Sequence, residues 1–143
     1  MNTLEPIDFR DAECNQKFVA SLREIGFAVL ENHPLDMDLV NRIYAEWRTF
    51  FATDEKYQFD YDKETQDGYF SFQNAESAKG MEAQDCKEYY HYYPQGRCPS
   101  ELRPALQEYY EAAHKFAATL LNWVETFSPA DVAALYNEPL PGM

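Results

Sequence analysis

Apolar residues recur at helical spacing in three stretches of the chain. Phe18, Leu22 and Ile25 fall at i, i+4 and i+7, which predicts a helix over about 12–25. Asp8 or Asp11 is placed to cap its first turn, and Gly26 to close it. Leu39, Ile43, Trp47 and Phe50 predict a second helix over about 37–51, opened by Asp36. The longest apolar stripe runs from Leu106 through Tyr109, Ala113, Phe116 and Leu120 to Val124. It predicts a helix over about 101–127 with Ser100 at its N-cap. Ser128-Pro129 then marks a break and a short closing helix over 130–136.

Between these stretches the period shortens. Residues 6–9 alternate as a short strand would, and Phe27-Ala28-Val29-Leu30 is a compact apolar run of the kind that forms a buried strand. Pro34 ends it by removing a backbone donor. Thr53-Asp54-Glu55 opens a short third helix. From Asp60 to Pro99 helical periodicity disappears and tyrosines are interleaved with polar residues. Two pieces, near 68–72 and 88–93, have strand character within what is otherwise loop. A connection this long is usually functional or docked against another element. The fold class expected is α+β: helix-rich, with a few short strands.

At 143 residues, 45% apolar and 16% aromatic, the chain has material for one ordinary core. Twelve basic residues against 25 acidic ones give a net charge of −13, which disfavours phosphate backbones and anionic membranes. Neither nucleic acid nor a membrane is therefore expected as a partner. The N-terminus has no basic and apolar leader pattern, and no apolar run approaches the roughly 20 residues of a membrane-spanning helix. Cys14, Cys86 and Cys98 are sparse and odd in number, which fits reduced thiols and a cytoplasmic location better than a Cys86–Cys98 bridge.

The motifs of common chemistries are missing. His33, His91 and His114 stand in none of the H-x-D, H-x-x-x-H or H-E-x-x-H spacings, and no C-x-x-C occurs. There is no G-x-S-x-G and no phosphate loop. No catalytic residue and no metal ligand is assigned. A thiol enzyme built on Cys86 with His91 remains a weak rival, to be removed if Cys86→Ser leaves any detected activity intact. His33 reads as a turn or capping histidine and His114 as a packing residue. Asp85 and Glu88 read as turn and strand-edge hydrogen-bonding groups, and Trp47 and Trp123 as core.

Three local patterns, in order, resemble one family. Gly26-Phe27-Ala28-Val29-Leu30-Glu31-Asn32-His33 is similar to the G-F-F-x-V-x-N-H segment of the isopenicillin N synthase-like oxygenases, which use iron(II) and mostly 2-oxoglutarate. Gly68-Tyr69 is similar to the family's Gly-Tyr after its third helix. Asp85-Cys86-Lys87-Glu88-Tyr89-Tyr90 is similar to its D-x-K-E-x-F/Y segment. Pro34-Leu35 departs from the Gly-Ile or Gly-Val that usually follows Asn-His.

The resemblance covers nearly the whole chain, 1–143, and implies the N-terminal domain of such an enzyme. The iron ligands (H-x-D and a distal histidine) and the 2-oxoglutarate-binding R-x-S would lie in a double-stranded β-helix (jelly-roll) core absent from this chain and expected after Met143. The segment itself would bind no cofactor, while the parent would oxidise or hydroxylate a small organic substrate. The Tyr-rich section would line the substrate mouth, with Gln66, Tyr69, Phe70, Tyr90 and His91 facing substrate. The alternative is a stand-alone, non-catalytic binding module derived from the family.

Overall fold

A computed structural model of the chain describes residues 4–72 and 87–129. The predicted closing helix over 130–136, Asp85 and Cys86 lie outside them. The fold is α+β, helix-rich with four short strands among the described residues. It divides into two compact units, one made of residues 1–35 and 112–143, the other of residues 36–111.

In the first unit, β1 (Pro6–Asp8) pairs in parallel with β2 (Val29–Glu31), Ile7 opposite Leu30, and α1 (Cys14–Ile25) forms the crossover. Neither Asp8 nor Asp11 caps α1. Asp8 Oδ1 accepts from the Arg10 amide and Asp11 Oδ1 from the Glu13 amide, both at 2.9 Å. Each carboxylate reaches two residues on, so the pair shapes the turn before the helix and delays its start to Cys14. Gly26 closes α1 as expected, at φ 85° with its N–H on the Leu22 carbonyl. Phe27–Leu30 is not a buried strand. Pairing begins at Val29, Val29 is exposed, and Phe27 is 70% exposed ahead of the strand. A two-stranded ribbon registered on Pro6–Asp8 simply starts too late to include it. Buried Cys14, Phe18 and Val19 form the packed face of α1. Phe9 stacks on Trp123 at 5.4 Å and meets Phe116 edge-on at 5.4 Å, while Phe18 meets Trp123 edge-on at 5.8 Å.

The second unit begins with α2 (Met37–Phe51), which has the predicted bounds because Asp36 accepts from the Asp38 and Leu39 amides. A 3-10 segment, Asp54–Phe59, follows where a short helix was expected. β3 (Gly68–Phe70) and β4 (Tyr89–His91) pair antiparallel, both shorter than predicted. α3 (Arg103–Phe127) starts in this unit, and its later residues belong to the first. Ser100 is not its cap. The Ser100 hydroxyl donates to Glu101, and the Pro99 carbonyl accepts from the Leu102 and Arg103 amides in a separate turn. The core here is Phe50, Cys98, Leu102 and Leu106, with Ile43, Trp47, Phe51, Phe59, Tyr90 and Tyr92 packed against it.

Candidate functional site

The β3–β4 hairpin carries four of the five residues expected to face substrate, and its register divides them. Tyr69 pairs with Tyr90, Phe70 with Tyr89 and Gly68 with His91. Directly opposed residues share a face and neighbours along a strand alternate, so Tyr69 and Tyr90 lie on one face, Phe70, Tyr89 and His91 on the other.

The first of these faces packs inward. The Tyr90 ring lies 4.9 Å from Trp47 and 5.8 Å from Phe50, and its hydroxyl donates to the Arg97 carbonyl at 2.9 Å. Tyr69 is 1% exposed. Its hydroxyl donates to Glu88 Oε2 at 2.6 Å, and Lys56 Nζ donates to the same oxygen at 2.8 Å and to the Phe51 carbonyl at 2.7 Å. Burial, then the Glu88 carboxylate, pushes the Tyr69 phenol up to about 12. Burial also raises Tyr90. Glu88 itself stays below the usual carboxylate range: burial opposes this, but the Lys56 and Tyr69 hydrogen bonds outweigh it. Tyr69 and Tyr90 are thus neutral packing groups whose hydroxyls already have acceptors. Tyr69→Phe is expected to cost about 1 kcal/mol, the net worth of one buried hydrogen bond, since Lys56 still satisfies Glu88. Urea denaturation at neutral pH measures it, and an unchanged midpoint would refute the role given to the hydroxyl.

The opposite face is an aromatic surface. Phe70 lies parallel to Tyr89 at 4.6 Å, with Tyr61 at 4.2 Å and His91 at 4.5 Å from its ring. His91 is exposed. Gln66 sits in the turn that leads into β3. Its backbone is left-handed at φ 60°, its amide N–H reaches the Asp62 carbonyl at 2.8 Å, and its side-chain amide donates to the Lys63 carbonyl at 2.9 Å. The structure therefore brings Phe70 and His91 together, sets Gln66 in the adjoining turn, and turns Tyr69 and Tyr90 away to the core.

A buried ion pair that motif searching missed holds this turn. Asp67 is 1% exposed. Its Oδ2 accepts from the Arg97 amide at 2.6 Å, and its Oδ1 from Arg97 Nε at 2.9 Å and from the Thr65 hydroxyl at 2.8 Å. Arg97 also donates to the Asp60 carbonyl at 2.9 Å.

No three histidine, cysteine or carboxylate side chains among the described residues converge on a point where a metal could bind. His33 packs on Phe116 at 5.9 Å, and its buried Nδ1 has no partner among the described residues. His91 lies tilted against Phe70, and His114 lies on the exposed side of α3. These donors do not fit an iron centre, and no chemical step is assigned to one here.

The model of the non-haem dioxygenase N-terminal family, described from morphine synthesis, matches residues 3–115, and the chain belongs to that family. The structure is similar to that of a candidate oxygenase from Shewanella oneidensis, with a TM-score of 0.84 and 49% identity, over 99% of this chain and 51% of that one. It is also similar in fold to a candidate 2OG-Fe(II) oxygenase family protein from Caulobacter crescentus, with a TM-score of 0.71 and 24% identity, over 89% of this chain and 49% of that one. The chain thus spans about half the length of these two proteins. No curated protein matches it. No helix among the described residues is long and apolar enough to cross a membrane.

Proposed function

We propose that the chain is the substrate-side, N-terminal part of an iron(II)- and 2-oxoglutarate-dependent oxygenase that hydroxylates or oxidises a small organic molecule. The observation that carries this reading is that the chain aligns along its length with about half of a candidate oxygenase at 49% identity. In this reading iron and 2-oxoglutarate are held by a jelly-roll core beyond residue 143, and this domain shapes the approach to them. Phe70 and His91 are the side chains assigned to substrate, with Gln66 at the edge of the same surface. An apolar ring beside an exposed imidazole suits an organic substrate with one polar group. Tyr69 and Tyr90 support that surface from behind.

The test is made on the full-length protein that contains this domain. With Fe(II) and 2-oxoglutarate it is expected to consume O2 and form succinate. His91→Ala should change the ranking of accepted substrates while leaving substrate-independent succinate formation within about twofold, since the imidazole touches neither iron nor 2-oxoglutarate in this reading. Absence of succinate formation in the wild type would overturn the assignment. An unchanged substrate ranking in the variant would remove His91 from the site.

A further inference from the structure

A groove of about 430 Å³ opens between α2 and β4, within the second unit. One wall is a single helical stripe: Tyr44, Trp47, Arg48 and Phe51 follow one another at i, i+3, i+4 and i+7. The facing wall is Glu88, Tyr89 and Tyr90, from the β4 strand and its approach. Burial of the α2 stripe against the hairpin is incomplete here, since Tyr44 is 69% exposed and Arg48 is exposed. The size and the lining, mostly rings with a few polar groups, are those of a small-molecule site.

The charges select the ligand. Glu88 does not present a free negative charge, because Lys56 stands 2.8 Å from its Oε2 and the Tyr69 hydroxyl is bonded to the same oxygen. Arg48 has no carboxylate partner among the described residues, in a chain whose net charge is −13. A cationic ligand would face the Arg48 guanidinium and a carboxylate already paired with Lys56. An anion would find the reverse. A planar guanidinium matches a carboxylate through two parallel hydrogen bonds. The rings of Trp47, Phe51 and Tyr90 favour a flat, apolar body.

We propose that this groove is a binding site for a small aromatic carboxylate, with Arg48 holding the carboxylate and the α2 stripe and Tyr90 holding the ring. The site stands apart from the oxygenase reading, because it requires only these side chains and no metal.

The probe is 4-hydroxyphenylacetate, titrated into the full chain and followed by two-dimensional NMR, with its neutral amide, 4-hydroxyphenylacetamide, as the comparison. The expected result is a saturable shift of the Trp47 indole N–H and of the Tyr89 backbone amide, without a shift of the Trp123 indole. The acid should bind at least about tenfold more tightly than the amide, which is the scale of a hydrogen bond to a charged group. Arg48→Met should abolish the preference for the acid, and Arg48→Lys should keep part of it. Arg48 is exposed, so both variants should retain wild-type signal dispersion. No saturable shift at Trp47, equal binding of acid and amide, or a preference that survives Arg48→Met would each overturn the proposal.

Discussion

Gly68→Ala should remove at least about 3 kcal/mol of stability, enough to leave a marginal domain substantially unfolded. Two effects add at this position. The backbone is at φ 110°, where a side chain is strained by about 1–2 kcal/mol. A Cβ there would also lie 2.5 Å from the Phe59 carbonyl oxygen, 2.9 Å from the Arg97 guanidinium and 3.0 Å from the Asp60 carbonyl oxygen. Two of those three atoms are backbone and cannot rotate away. Asp60 is further fixed by its bridge to Tyr69 and by the Arg97 hydrogen bond to its carbonyl. Gly26 supplies the control. Its φ is 85°, but a Cβ there meets nothing within 4 Å, so Gly26→Ala carries only the conformational cost, about 1–2 kcal/mol. Urea denaturation of the two variants separates steric from conformational cost. If Gly68→Ala unfolds at the same urea concentration as Gly26→Ala, the close approach of backbone at Gly68 is not what limits the site.

That glycine was visible in the sequence, but its reason was not. Gly68-Tyr69 stood out as a pattern and marked a strand, whereas the atoms that exclude a side chain come from residues 59, 60 and 97. The same split runs through the domain. α2 was legible to the residue because its signals are local: Asp36 bonds to amides two and three positions on, and the apolar stripe shares one period. The N-terminal turn misled because Asp8 and Asp11 had local partners closer than the helix. The division of the hairpin tyrosines was illegible, since a run such as Tyr89-Tyr90-His91-Tyr92-Tyr93 has the same polarity in either register. Which face packs inward is decided by Trp47 and Phe50 on α2 and by polar pairs far apart in sequence, Lys56 with Glu88 and Asp67 with Arg97, separated by 32 and 30 positions. No spacing rule links such residues. Single-chain periodicity therefore finds the elements, and long-range polar satisfaction fixes which of their side chains remain available for function.

Asp67→Asn removes one of these long-range polar pairs at the place where it supports the candidate site. The carboxylate accepts three hydrogen bonds on two oxygens, from the Arg97 amide, Arg97 Nε and the Thr65 hydroxyl. An asparagine of the same shape has one acceptor oxygen, so its NH2 group must face a donor that cannot turn away. Arg97 also loses its counter-charge, although its side chain is 39% exposed and part of that loss is met by water. The expected cost at pH 7 is about 3 kcal/mol, toward the lower end for breaking a buried pair. The pH dependence gives the sign. Burial alone would raise the Asp67 carboxyl, yet the Arg97 amide, the Thr65 hydroxyl and the Arg97 guanidinium together hold it below its ordinary 3.8. A carboxyl lowered by folding stabilises the native state fully above its unfolded value, and that contribution is lost as pH falls through the folded value. The wild type should therefore lose stability faster than Asp67→Asn below about pH 4. The gap of about 3 kcal/mol should narrow on acidification without widening at any pH above it. Urea midpoints from pH 7 to pH 3 measure both. A constant gap over that range would mean that the asparagine fails for its shape alone. The turn that carries Gln66 into Gly68, and with it the exposed face of Phe70 and His91, would then be held by packing and not by the buried charge.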